Sequence, residues 1–223
     1  MIRVSDVHVE YAWESYKVEA IKGVTLDVNQ GDYVAIVGPA GSGKSTLMSA
    51  LAGLIFPRKG DIFFGKHCIN KSSRARRARI RAENFGIIFQ FSDMIGRFTV
   101  EENLRFSWQA RNKSEDGFEA RLVYLIERLD MADLLKFRPS KLSGGQMQKA
   151  AIANALIKNA PFILADEPSG DLDPESLKLL KKLFVEESKS GKTIVLITHD
   201  TKLASDAKSI FELVDGKVAG VLK

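Results

Sequence analysis

Blocks of uninterrupted apolar residues, each the length of one strand, alternate along this chain with stretches whose apolar positions recur every three or four residues. Tyr33-Val34-Ala35-Ile36-Val37, Phe162-Ile163-Leu164-Ala165 and Thr193-Ile194-Val195-Leu196-Ile197 are the clearest of the first kind. A run without polar interruption is what a strand covered on both faces demands. Leu47, Met48, Leu51 and Leu54 follow the first block at helical spacing. Ahead of it, residues 2–28 carry short alternating runs (Ile2, Val4; Val24, Leu26, Val28), which predict antiparallel strands leading through Gln30-Gly31-Asp32 into the strand at 33. Hairpins are expected at 61–69 and around Val214-Asp215-Gly216-Lys217.

Residues 91–156 read as predominantly helical. Thr99-Val100-Glu101-Glu102 has the form of a capping box, and Val100, Leu104 and Trp108 share one face of the helix it opens. A charged helix over 175–188 separates the last two apolar blocks. Strands alternating with helices predict an α/β fold around a mainly parallel sheet. The expected organisation is a single domain over 1–223: an inserted α-helical subdomain at 91–156 interrupts a core made of 1–90, with its N-terminal antiparallel β subdomain, and 157–223.

Composition narrows the setting. At 223 residues the chain can bury a substantial core. Its single cysteine, Cys68, excludes an internal disulfide and fits a reducing compartment, while His8, His67 and His199 are too dispersed for a metal site. No apolar stretch approaches the ~20 residues of a membrane span, and the chain does not open with the basic, apolar and small-residue pattern of a secretion signal. Net charge is +5, which permits attraction to nucleic acid or anionic lipid and specifies neither. Six basic residues fall within the eleven from Lys71 to Arg81; a solvated helix face is the first reading, a membrane-surface contact the second.

Three segments carry chemistry. Gly38-Pro39-Ala40-Gly41-Ser42-Gly43-Lys44-Ser45 matches G-x-x-x-x-G-K-[ST], in which glycines let backbone N–H groups turn inward around phosphates, the lysine reaches the β/γ-phosphates and the serine ligates Mg²⁺. It lies between a predicted strand and a predicted helix, the context that motif requires. Leu142-Ser143-Gly144-Gly145-Gln146 reads as a second anion-binding helix N-terminus, with a plain helix cap as the alternative. The block 162–165 then delivers Asp166 and Glu167 to a strand end, and two adjacent acids there are costly to desolvate without a cation.

With both glycine-rich segments and the acidic pair in place, nearly the whole chain resembles the nucleotide-binding subunit of an ABC transporter. The resemblance implies a phosphate-loop NTPase (RecA-like) core, with ATP and Mg²⁺ held by residues 38–45 and Thr46, by Gln90 and by Asp166. Glu167 matches the general base, His199 the switch histidine at the γ-phosphate, Lys44 the phosphate-binding lysine, and Gln90 the glutamine that senses Mg²⁺ and water. Ser143, Gly144, Gly145 and Gln146 would close over the ATP of a partner subunit in a head-to-tail dimer. Asp171, in Ser169-Gly170-Asp171-Leu172-Asp173, belongs to the loop coupling the two sites. Tyr11 is the choice for the aromatic platform under adenine, with Trp13 and Tyr16 as rivals. The run Ala165-Asp166-Glu167-Pro168-Ser169-Gly170-Asp171-Leu172-Asp173 most resembles the ATPases of lipoprotein-release, macrolide-export and antimicrobial-peptide-resistance systems. Lys149 and Asn154 depart from it, standing where the family usually carries arginines.

The resemblance implies a transmembrane permease as partner, a second copy or a paralogue in the dimer, and a place on the cytoplasmic face of the membrane. Force would pass through the segment after Gln90, where Phe91, Met94, Ile95 and Phe98 concentrate apolar surface; Phe106 is expected in the core instead. A membrane transmitter that moves no cargo is the second reading. An ATPase acting on nucleic acid is disfavoured, because the chain has neither two cassettes nor an inserted coiled coil.

Overall fold

The computed structural model describes residues 1–13, 16–90, 93–112 and 114–223, with Trp13 through its backbone. Two sheets share the work. The first, antiparallel throughout, has the order β2-β1-β4-β5, from β1 (Ile2–Trp13), β2 (Tyr16–Val28), β4 (Lys59–Phe64) and β5 (His67–Cys68). The second has the order β10-β9-β3-β8-β7-β6, from β3 (Tyr33–Val37), β6 (Phe85–Ile88), β7 (Phe162–Asp166), β8 (Thr193–Ile197), β9 (Ser209–Val214) and β10 (Lys217–Val221). It is parallel from β9 across to β6 and antiparallel only at the β9–β10 hairpin. The α/β class and both predicted hairpins are therefore present.

Period-two geometry splits the apolar blocks between two cores. Val34, Ile36, Leu164, Val195 and Ile197 face the antiparallel sheet and helix α1 (Lys44–Leu51), which is packed between the sheets. Tyr33, Ala35, Ile163, Ala165, Ile194 and Leu196 face the other way, onto α3 (Val100–Arg111), α4 (Phe118–Leu129), α5 (Gly144–Ile157) and α6 (Pro174–Lys189). The helix α5 lies directly on β6, where an added Cβ on Gly86 would sit 2.5 Å from the Ala155 carbonyl oxygen. Of the predicted apolar stripe on α1, Leu47, Met48 and Leu51 are buried. Leu54 is not: Gly53 turns the chain through a left-handed φ of 63°, and Leu54 emerges into solvent.

The capping box forms as expected. Thr99 Oγ1 accepts from Glu102 N (3.2 Å) while Glu102 Oε2 accepts from Thr99 N (2.7 Å), and Val100, Leu104 and Trp108 are buried beneath. Basic residues 74–81 lie on α2 (Arg74–Asn84), whose one buried side chain is Ile80, an exposed basic face that suits a solvated helix and a membrane-surface contact alike. Phe106 is a correction. It stands on α3 half exposed, 6.2 Å from the Phe98 ring, because Leu104 and Trp108 take the core-facing side of that helix. Met94 instead packs against the helical core, and Phe91 lies outside the described residues. No helix among the described residues is long and apolar enough to cross a membrane.

Candidate active site

Ligands of open α/β sheets bind where parallel strands end, at their carboxyl edge. Here β3, β7 and β8 run parallel and side by side, and past their ends come Gly38, Asp166 with Glu167, and Thr198 with His199. A cavity of about 650 Å³ opens between them. Gly38, Ala40, Gly41, Lys44 and Ser45 form its floor; Gln90, Glu167, Asp171 and His199 form its wall, joined by Gly170 and Gln148.

The loop before α1 has the shape its glycines permit. Gly38, Gly41 and Gly43 take φ of 151°, 77° and 100°. A Cβ on Gly43 would sit 2.4 Å from the Ala20 carbonyl oxygen, and one on Gly38 2.0 Å from that of Leu213, whereas Gly41 faces open space. Glycine is thus required at 38 and 43 by close backbone approach and favoured at 41 by its left-handed φ. Helix α1 begins at this loop with no side-chain cap and no acid in its first turn, so its N-terminal dipole and N–H groups face the cavity ready for an anion. The Lys44 ammonium donates to the carbonyls of Gly38 (2.9 Å) and Pro39 (2.8 Å). Ser42 is buried under the loop. Tyr11 hydroxyl lies 3.4 Å from Thr46 Oγ1, which puts its ring beside the start of α1; Tyr16 is mostly solvent-exposed, and the Trp13 side chain lies outside the described residues.

At the end of β7 the two acids separate by environment. Asp166 is buried, and its Oδ1 has no protein partner. Burial pushes its carboxyl up from the ordinary range and the Glu167 charge adds to this, while a hydrogen bond from Ser45 and the Lys44 charge oppose it. An orphaned buried carboxylate oxygen beside a serine hydroxyl is a donor set that suits Mg²⁺, with its hard oxygen ligands. Glu167 sits in the left-handed region, with φ of 46°. Its N–H donates to the Ile197 carbonyl (2.8 Å), and Oε2 lies 2.9 Å from His199 Nδ1 and 3.3 Å from His199 N. His199 is itself well exposed, so its ring can leave this contact for a ligand.

The signature turn lies apart from this cavity. Ser143 Oγ accepts from Gln146 N (3.3 Å), and Gln146 Oε1 accepts from Ser143 N (3.0 Å), so the segment does form the plain helix cap. The N–H groups of Gly144 and Gly145 take no part in those two bonds and stand at the exposed tip of α5. Both glycines rest on Asp171, with ideal Cβ positions 3.1 Å from its Oδ2 and 3.0 Å from its carbonyl oxygen, respectively. Of the departures from the family pattern, Lys149 donates to the Asp130 carbonyl at the end of α4 (3.4 Å), whereas Asn154 is buried with Oδ1 unpartnered. Sequence reasoning missed Gln148, whose signal is a lone polar side chain in line with Ile152 and Ala155 on the buried face of α5. It also missed Asn103, buried on α3, whose amide binds both the N–H (2.7 Å) and the carbonyl (3.2 Å) of Ile95.

A strand–loop–helix phosphate cradle facing an acidic strand end, with a self-capped glycine pair elsewhere on the surface, is the plan of an ATP-binding cassette. The chain belongs to the ABC transporter family, whose pattern it matches over residues 21–170, and it is an ABC-type ATPase with the fold of that family's cassettes. The similarity extends almost end to end: 35% identity over 221 residues, 94% of the relative, to an uncharacterized ABC transporter ATP-binding protein of Thermotoga maritima. It is 37% identical over 204 residues to the lipoprotein-releasing system ATP-binding protein LolD of Leptospira interrogans, covering 91% of this chain and 86% of that one. The macrolide export ATP-binding/permease protein MacB of Wolinella succinogenes is 40% identical over 201 residues, 90% of this chain, which spans only 31% of MacB. Among solved structures, the dimeric bacterial ABC transporter cassette MJ0796 superposes with a TM-score of 0.91 at 33% identity, covering all of this chain and 98% of the other. A post-hydrolysis state of the same cassette, bound to ADP and phosphate, superposes equally well at 32% identity.

Proposed function

We propose that this chain hydrolyses Mg-ATP at the cavity above β3, β7 and β8 to drive a separate membrane permease of the export or lipoprotein-release type. The observation that carries the reading is the pairing of Glu167 with His199 at one end of the cavity and the Lys44 loop at the other. Residues 38–46 hold the phosphates by backbone N–H groups and the Lys44 ammonium, and Tyr11 supports the adenine ring. Ser45 and Asp166, with Gln90 beside them, hold Mg²⁺, which offsets phosphate charge. Glu167 accepts a proton from the attacking water as that oxygen bonds to the γ-phosphorus and the bond to ADP breaks; His199 steadies the phosphate oxygens. The tip of α5, with Ser143, Gly144, Gly145 and Gln146, closes on the ATP of a second copy, and Asp171 beneath it lies between the two sites.

Force passes to the permease by contact. The Phe98–Phe106 ring pair, Phe106 half exposed and Phe98 partly buried, next to a 95–99 loop fastened by Asn103, is the surface assigned to the permease, and it holds the chain at the cytoplasmic face of the membrane. Glu167→Gln tests the central assignment: ATP turnover should fall roughly 10²–10⁴-fold, the range for a lost general base, with ATP still bound. Turnover within a few-fold of the parent would remove Glu167 from the role.

A further inference from the structure

One buried side chain connects the two phosphate-facing parts of the chain and has no part in the chemistry assigned so far. Gln148 is on α5, one helical turn beyond Gly144 and Gly145 and on the same face. It is almost wholly buried, and its Nε2 donates to the Pro168 carbonyl at 2.9 Å. Pro168 is the residue after Glu167. It is buried too, and having no N–H it can be tethered through its backbone only at the carbonyl.

The turn at 167–170 needs such a tether. Glu167 has a backbone conformation that L-residues avoid, which persists only where surrounding contacts over-determine it. Three contacts do so here. The Glu167 N–H is held by Ile197 on β8, Gly170 N closes the turn onto the Glu167 carbonyl at 3.3 Å, and Gln148 takes the Pro168 carbonyl from the opposite side. The first two belong to the ATPase core. Only the third comes from the helix that carries the signature glycines. Those glycines meanwhile rest against Asp171, three residues further along the same loop.

We propose that Gln148 is a positioning residue for hydrolysis: its amide locks the Glu167–Pro168 turn to α5, so the placement of Glu167 follows the position of the signature helix within the same subunit. This rests on the assignment of Glu167 as the base. Hydrolysis tolerates little misplacement of such a group, since an error of about 1 Å can reduce rate about 10²-fold. Gln148 lines the edge of the cavity, but its amide is engaged at the Pro168 carbonyl and not at the phosphate loop, so ATP binding should change little.

The test compares steady-state ATPase of the full chain in four variants beside the parent. Gln148→Met keeps the shape and removes the donor; Gln148→Lys restores a donor; Glu167→Gln and the double variant Gln148→Met/Glu167→Gln complete a cycle. For Gln148→Met, kcat should fall about tenfold with KM for ATP within about twofold, and Gln148→Lys should recover at least half of the loss. The double variant should be no slower than Glu167→Gln alone, because residues that act as a unit are not additive. An additive double variant, a Lys replacement no better than Met, or a Gln148→Met kcat within twofold of the parent would each overturn the inference while leaving Glu167 intact as the base. A near-parental Glu167→Gln would instead fail the assignment on which it rests. If Gln148→Met proves unstable, the kcat and KM of Gln148→Lys, measured against Gln148→Leu, decide the same question.

Discussion

Glu187→Gln should weaken the fold far more than its position on a charged helix suggests. Glu187 is 2% exposed on α6 and faces two cations: Arg121 of α4, 2.8 Å away, and Lys192 just before β8, itself in hydrogen-bond contact. The side chains of those cations are only 13% and 11% exposed. Removing one partner of a buried pair leaves uncompensated charge, at a typical cost of about 3–5 kcal/mol. Arg121 keeps its two hydrogen bonds to the Leu156 carbonyl, at 3.2 and 3.0 Å, and glutamine can still accept one bond, so the lower end, about 3 kcal/mol, is expected. For a chain of this length that is a fall in Tm of roughly 6–12 °C. The loss should also depend on pH. Burial holds the Lys192 ammonium below the ordinary lysine range, and Glu187 opposes that shift. Without Glu187 the folded-state value drops further. The penalty is then greatest where Lys192 is charged and shrinks as pH rises towards the unfolded value. Urea denaturation at neutral and alkaline pH measures both effects. A loss under about 1 kcal/mol, or one that grows at alkaline pH, would refute the reasoning.

Gly43→Ala places a methyl 2.4 Å from the Ala20 carbonyl at φ of 100°; a destabilisation of about 1–3 kcal/mol and at least about tenfold weaker binding of a fluorescent ATP analogue are expected. Asp166→Asn should raise Tm in the absence of Mg²⁺ at neutral pH. The carboxyl is pushed up by burial, so its ionised form opposes folding, and the gain should disappear as pH falls through the folded and then the ordinary carboxylate value; a gain that increases on acidification would count against it. Phe106→Asp, at an exposed position, should leave Tm and basal ATPase near the parent while weakening permease co-purification, whereas Met94→Asp should lower Tm because Met94 packs on the core.

What the sequence disclosed and what it concealed divide along a physical line. The phosphate loop, the β7 acids and the Thr99 cap were legible because each depends on residues adjacent in the chain, where motif and conformation coincide. The parallel sheet was legible through uninterrupted apolar blocks, which only doubly covered strands need. Leu54 was misjudged because periodicity identifies a face without saying where that face stops, and Gly53 ends the α1 stripe before it; Phe106 was placed in the core against the periodicity of α3, which puts it off the Val100–Leu104–Trp108 face. Gln148, Asn103 and the Arg121–Glu187–Lys192 group were not legible as partners, since each joins distant segments and polar side chains have no repeat to betray them. Asn154 is the opposite case. It stood out as a departure, yet nothing in the structure explains its unpartnered oxygen.

The left-handed backbone at Glu167 has an evolutionary consequence. At φ of 46°, asparagine or glycine is more comfortable than glutamate, so losing the carboxylate there releases strain of order 1 kcal/mol. Stabilising substitutions are easy to find, and at a strained active-site position their recurrent cost is lost function. On the proposed role of Glu167, position 167 is such a place: the replacement that relieves its backbone also removes the carboxylate assigned as the base.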